Sequence, residues 1–560
     1  MARIQSFQEV HHAFALHSVP LPHFALPRSF LPHMNSPSIA VRDDSDPGDA
    51  ARRRKERNIL LICSSVCALI VLDTNIVAVS LPSVARSLHA DFSDIEWIVS
   101  AYMLAFASLL LPAGSLADRF GRKRMMLLGL GLFSLASLGC GLAWSTGALQ
   151  IARAVKGVGA AMLLTSALAV IGHVFHTEKD RTHAWAVWGA CMGVSMTVAP
   201  LLGGVITQLL GWRWIFLLNL PVCLCLGTLV YREVAESKNA SATAARLDPW
   251  GSLLLSGGLG CLIWALINAN AAGWSSAATL LRAGGGILML ALFVPVELMQ
   301  KRPMIDLRLF RHAPFVGAVL AMFGYASSAQ VMMTFLPLYL QNAFAYSAIV
   351  AGLAMLPFAL AMMIFPRVGA ALTRYMPLHG VMGLGMALVC AGNVLVAIAA
   401  YAGSYWMVLA GMLVTGSGAG LLNGNTQKAI MNCVPRERTG MASGISTTTR
   451  FAAIVLAIAC LGCVLTVRTG SYLKQGLIGA NLPQPGGFTD VVERIVAGDS
   501  AAALPALGNS LEALRIAQAG FAHAFSLLML AAAAIAAVSG VLLFRLMGSH
   551  KGAPVDALPV

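Results

Sequence analysis

Charge is what this 560-residue chain has least of: Asp, Glu, Lys and Arg make up 11% of it, against 58% hydrophobic residues. An ordinary soluble domain carries about 25% charge, so that class is excluded and a polytopic membrane protein is expected. The net charge of +14 does not point to nucleic acid, because the basic residues sit in short loops between apolar runs. There they set topology and attract anionic lipid. No G-x-x-x-x-G-K-[ST] loop occurs anywhere, which disfavours an ATP-driven engine. Ten of the eleven cysteines lie within apolar runs, and Cys433 lies in a basic loop. Cys460 and Cys463 are spaced like a ligand pair, but no second pair or histidine accompanies them, so they read as small buried hydrophobes and no metal site is expected. Residues 1–57 lack the continuous apolar core of a cleavable signal peptide. With scattered prolines and His11, His12, His17, His23 and His33, they read as a disordered arm, in which either Met1 or Met34 fits as the start.

What the chain has in abundance is apolar runs of bilayer length, about 20 residues each. Fourteen are expected, the first at Leu60–Leu81 and the last at Phe521–Met547. Charge supports that count independently. Alternate loops are basic, among them Arg119–Arg124, Lys179 with Arg181, Arg367 with Arg374, and Lys428–Arg438, while the loops between them are poor in Lys and Arg. The block Arg52, Arg53, Arg54, Lys55 and Arg57 before the first run places the N-terminus in the cytoplasm, and an even count returns the C-terminus there. One long external segment, 468–520, is amphipathic around Val491–Ile516 and reads as a small cap or a surface hairpin.

Inside the runs, polar residues stand out by their cost. Asp73, in VLDTNIVAVSLP, is the one carboxylate well inside an apolar stretch. A charge there costs about 2.5–3.5 kcal/mol on insertion scales, so it must face a cavity or partner, or be protonated. Arg153, in LQIARAVKGVGAAM, is its natural counter-charge, with Lys156 a second cation nearby. Gly189, Gly193, Pro200, Gly203 and Gly204 give the fifth run close-packing positions and a bend. Tyr102, Gln330 and Asn423 are candidate cavity-lining groups. Runs 347–370 and 441–467 hold no acid, which favours a monocationic or neutral amphiphile over a dication as ligand.

The turn GSLADRFGRKR, Gly114 to Arg124, closely resembles the loop between the second and third helices of the major facilitator superfamily of transporters. Asp73–Pro82, the Arg153–Gly157 spacing and the G-P-x-x-G-G-like end of the fifth run resemble motifs of its fourteen-span drug:proton antiporter branch, with Asn75, Ala78, Lys156 and Ala199 departing from the pattern. The resemblance implies an all-α membrane protein with the major facilitator fold: an N-terminal six-helix half (58–231), two additional central spans (232–312), a C-terminal half (313–547) and a short tail (548–560). It implies no enzyme and no cofactor, but export of small amphipathic compounds in exchange for protons, with the proton gradient as energy source. Asp73 and Arg153 would couple the proton, and Gly114, Asp118, Arg119, Gly121 and Arg122 would form a cytoplasmic gate. The expected location is a bacterial inner membrane, with lipid, protons and substrate as partners; a periplasmic adaptor is conceivable for the branch, though nothing in the chain demands one. A dedicated metabolite or siderophore transporter of the same fold is the alternative, and a non-transporting receptor the more distant one. Isolated Asp73 and Arg153 do not supply the clustered groups an enzyme needs.

Overall fold

The computed structural model describes residues 47–175, 178–238, 249–300, 307–434, 439–498 and 503–548. Most of the N-terminal arm (1–46) and the tail from 549 therefore lie outside the described residues. The described chain is helical, with no strand, and fourteen helices are long and apolar enough to cross a membrane. They are α1 (Pro47–Leu88), α2 (Phe92–Phe120), α3 (Arg122–Gly141), α4 (Thr146–Val174), α5 (Glu178–Leu209), α6 (Trp214–Glu233), α7 (Pro249–Ala272) and α8 (Ala277–Met299). The remainder are α9 (Ala313–Ala343), α10 (Ala348–Leu372), α11 (Leu378–Ala402), α12 (Tyr405–Asn432), α13 (Thr439–Gly479) and α14 (Leu511–Gly548).

Three boundaries differ from the sequence reading. Helix α1 starts at Pro47, inside the stretch expected to be a disordered arm, because the Arg- and Lys-rich block between that proline and the first apolar run consists of good helix formers. Helix α13 continues to Gly479 and α14 begins at Leu511, so both outrun their apolar stretches and project beyond them. The loop between them is thereby shortened and folds as a cap: a helix at Phe488–Ala497 buries Val491, Val492, Ile495 and Val496 against the bundle. Of the two readings left open for this segment, the docked cap is the one observed.

Local chemistry sets the helix ends. Ser145, Ser276 and Ser347 each accept a hydrogen bond from the backbone N–H three residues on, capping α4, α8 and α10. Helices α2 and α3 are separated by Gly121 alone, at φ 115°, a conformation that favours glycine. Large side chains left exposed, such as Leu128, Leu135 and Ile151, lie along helix flanks, while Trp144, Tyr231, Trp250, Tyr401 and Trp406 are exposed at helix ends. That is the pattern of a hydrocarbon-facing band edged by aromatic residues.

Helices of the first group, including α2 with α4 and α3 with α4, pack closely on one another, as do α11 with α12 and α14 in the second group. Helices α7 and α8 pair, and α7 also packs on α2 and α13. The two groups meet where α5 lies on α10 and α2 on α13. Glycine makes the first of these seams possible: a Cβ on Gly204 would collide with the Ala348 carbonyl, and one on Gly352 with the Pro200 carbonyl. On the other flank of α5, a Cβ on Gly203 would stand 2.7 Å from the Ile76 carbonyl of α1. Polar ties add to the seam at the end away from the Arg119–Arg124 loop. Gln341 donates to the Val79 carbonyl (3.0 Å), Arg86 to the Gly498 carbonyl after the cap helix (3.2 Å), and Asn342 to the Ile495 and Val496 carbonyls.

Two measurements test this arrangement. Gly204→Leu should destabilise by about 1–3 kcal/mol through overpacking, read as a lower thermal-unfolding midpoint in detergent. Gly189→Ala, where an added Cβ meets nothing within 4 Å, should leave the midpoint unchanged. The cap should respond to pH. Burial first, then Asp91, Asp490 and Asp94, push the Glu493 carboxyl up to about 7 from an ordinary 4.5. A carboxyl raised in the docked state holds the cap fully below the ordinary value and loses that contribution as pH rises through about 7. Amide exchange of 488–497, corrected for intrinsic rates, should be several-fold faster at pH 8 than at pH 6, and Glu493→Gln should erase the difference.

Candidate functional site

Four helices of the first group converge on Asp73, whose side chain is completely buried in α1. Helix α4 presents Arg153 and Lys156 one turn apart on a single face. The Arg153 guanidinium donates to Asp73 Oδ2 at 3.1 Å, and the Lys156 ammonium to Oδ1 at 2.5 Å. From α6, Asn219 Nδ2 donates to the same Oδ1 at 3.0 Å. Arg153 also donates through Nε to the Ile98 carbonyl of α2 (3.1 Å) and lies over the Tyr102 ring, 4.2 Å from its centroid. Lys156 is flanked by the Phe133 and Phe216 rings. Helix α4 can come this close to α2 because Gly157 follows Lys156: a Cβ there would collide with the Tyr102 carbonyl.

This is a buried cluster of one acid and two bases. Its ions are tolerable because each carries several hydrogen bonds or a ring face, without which desolvation would cost several kcal/mol per ion. The expected pair Asp73–Arg153 is therefore in place. Lys156, noted only as a nearby cation, is a direct partner. Asn219 was missed, although an amide inside the apolar run WIFLLNLP is itself a signal. Tyr102, expected as a lining group, is fully buried beneath Arg153 and belongs to this cluster instead.

At the loop, Asp118 pairs with Arg122 within one helical turn (Nη2–Oδ1 2.9 Å, Nε–Oδ1 3.1 Å), and Arg122 also reaches the Ala169 carbonyl of α4. The start of α3 is capped from elsewhere: Glu236, beyond α6, accepts from the backbone N–H groups of Lys123 (3.1 Å) and Arg124 (3.2 Å). Arg119 is exposed over the Phe120 ring, and Gly114 lies against Thr165. Of the fifth-run residues, Pro200, Gly203 and Gly204 form the seams described above, Gly193 meets Met363, and Gly189 faces open space.

In the second group, Gln330 ends a π-helical stretch, Ala326–Gln330, within α9, and its Oε1 accepts from Arg450 Nε of α13 at 2.6 Å. Asn423 sits at a break in α12 beside Gly424 (φ 84°), and among the described residues no hydrogen bond or ring contact joins it to Gln330 or Tyr102. Asp73 is also not the only acid within a spanning helix. Glu96, which follows Asp91 and Asp94 closely in the sequence, is buried in α2 against Gly462 of α13, where the missing Cβ leaves room for its carboxyl. Among the described residues no cluster fit to hold a metal ion occurs.

The charge inventory predicts an order of stability. Asp73→Asn leaves two buried cations without their acid and should cost about 3–5 kcal/mol. Adding Lys156→Met removes one of those cations and should recover at least half of the loss, read as thermal midpoints of the single and double variants in detergent. A double variant no more stable than Asp73→Asn would contradict the inventory.

Several known proteins are similar to this chain in sequence or in fold. Multidrug resistance protein Stp of Mycobacterium tuberculosis (strain CDC 1551 / Oshkosh) is 34% identical over 418 residues, 74% of this chain and 77% of its own length. Tetracenomycin C resistance and export protein of Streptomyces glaucescens is 31% identical over 448 residues (79% and 81%), and multidrug efflux pump LfrA of Mycolicibacterium smegmatis is 31% identical over 478 residues (84% and 94%). Among solved structures, a bacterial homolog of the human lysosomal transporter Spinster superposes with a TM-score of 0.58 at 15% identity, over 88% of this chain and 97% of that one, a likeness of fold alone. The Major Facilitator Superfamily model matches residues 63–458, and the chain belongs to that superfamily of membrane transporters.

Proposed function

We propose that the protein exports small amphipathic compounds across a bacterial inner membrane in exchange for protons, with both termini and the Arg119–Arg124 loop in the cytoplasm. The single observation that carries the coupling part is the buried Asp73–Arg153–Lys156 cluster. Arginine does not release its proton in proteins, so Arg153 is a fixed charge. With Asp73 ionised, the cluster differs by one proton between a singly positive state and a neutral state, and the exchangeable proton belongs to the Asp73–Lys156 pair rather than to either residue alone. Names of relatives that refer to multidrug efflux and to resistance support the cargo class. A dedicated exporter of one compound is the second reading, favoured by the relative named for tetracenomycin C.

The basic loops support the orientation through the excess of Lys and Arg on the cytoplasmic side. The Asp118–Arg122 pair, tied to α4 through Ala169, is suited to latch that side in one state. Rocking of the two groups about the α5–α10 and α2–α13 seams would expose the cluster to one side at a time.

Everted vesicles carrying a pH-sensitive dye test the proposal against a panel of lipophilic cations and neutral drugs. The wild-type protein should release protons on addition of exported compounds. Lys156→Arg keeps the positive charge but cannot give up its proton, so proton release should fall at least tenfold while compound binding persists. Unimpaired coupling in that variant would remove Lys156 from the exchange. Silence of the correctly inserted wild-type protein toward every compound would remove the export reading.

A further inference from the structure

The second group of helices holds a charge that has no part in the Asp73 cluster. Arg450 lies about a third of the way along the apolar part of α13, and its side chain is only partly buried. Its side chain is directed toward α9, where its neighbours are the buried Gln330 and Tyr325. Among the described residues its one acceptor is Gln330 Oε1, and no carboxylate pairs with it. A guanidinium has five N–H donors, so most of its capacity is unspent.

Two further features accompany it. The Tyr325 hydroxyl is buried and has no hydrogen-bond partner among the described residues, while its ring lies under the Arg450 guanidinium, 5.9 Å from ring centroid to Cζ. The backbone between Tyr325 and Gln330 leaves the α-helix for a π-helical turn, a rare irregularity frequently found at functional sites. The turn separates Tyr325 and Gln330 along α9 while both remain on the side of Arg450.

We propose that Arg450, with Tyr325 and Gln330, binds a carboxylate on the exported compound. The preferred cargo is then a zwitterionic or acidic amphiphile, rather than the monocation or neutral compound expected from the lack of acids in α10 and α13. An oxyanion supplies what the site lacks: it takes two parallel N–H bonds from a guanidinium and accepts the orphan hydroxyl proton. The apolar body of such a compound would meet Phe451, the next residue, which stands edge-on to Phe106 of α2 at 4.5 Å. Among the described residues no carboxylate forms an ion pair with Arg450; Asp73 is held by its own cations, and Glu96 lies near the start of α2.

The proposal rests on the export reading, and a matched pair of dyes separates the two. Rhodamine B carries a free carboxylate; its ethyl ester has the same body without it. Binding is followed by fluorescence anisotropy on the full-length protein in lipid nanodiscs, and efflux in everted vesicles. Arg450→Gln should weaken binding of the acid about tenfold, the scale of a charge-assisted hydrogen bond, and change the ester by less than about twofold. Tyr325→Phe, which removes only the orphan hydroxyl, should weaken the acid about threefold on the scale of one hydrogen bond and spare the ester. Arg450→Lys should restore part of the acid's affinity. Equal loss of both dyes in Arg450→Gln, or an acid that binds Arg450→Gln as it binds the wild type, would overturn the carboxylate site while proton-coupled efflux of the ester left the export reading standing. Acid-selective binding without any coupled efflux would instead overturn the export reading and leave the carboxylate site in place.

Discussion

Burying an ion is the constraint from which this structure follows. Asp73 is removed from water, and the interior can hold it only if positive charge and donors arrive from several directions at once. Helix α4 supplies two cations, α6 an amide, and α2 a carbonyl and a ring that hold Arg153 in place. Those four helices are therefore held in register by polar contacts as well as by apolar packing. In a bilayer the distinction matters, because lipid tails are as apolar as the side chains they would replace and give helices little reason to prefer one another. Close packing at glycines does the rest, which is why Gly157, Gly203 and Gly204 fall where a Cβ would strike a neighbouring backbone.

The two polar centres lie in different helix groups, with aromatic rings between them. Tyr102 lies beneath Arg153 and stacks with Phe106 at 6.1 Å; Phe106 meets Phe451 edge-on, and Arg450 precedes Phe451 in the chain. These rings coincide with the α2–α13 seam. Any displacement of α2 moves Tyr102 and the Ile98 carbonyl together, and both are ligands of Arg153. The Asp73 cluster is thus mechanically attached to the seam.

Much of this was legible in the sequence because lipid makes simple demands. Fourteen spans could be counted from run length alone, and Asp73 and Arg153 stood out as charges in oil. The rest depended on packing. Glu96 follows Asp91 and Asp94 so closely that it reads as part of a polar loop, and only the bare backbone of Gly462 on a distant helix gives it a buried place. Glu236 caps α3 from 113 positions away, and Arg450 meets Gln330 across 120, distances at which one sequence carries no pairing signal. The π-helical turn that holds Gln330 in place has no composition of its own; ASSAQ would serve equally in an ordinary helix.

The position of Lys156 reshapes the logic of coupling. With one base beside it, Asp73 would be the natural group to gain and lose a proton. With two, the carboxylate is doubly compensated, and protonating it would leave both Arg153 and Lys156 buried without their acid. The same reasoning explains why the Phe133 and Phe216 rings flank the ammonium: an aromatic face stabilises a cation without binding its proton covalently or offering a second acid.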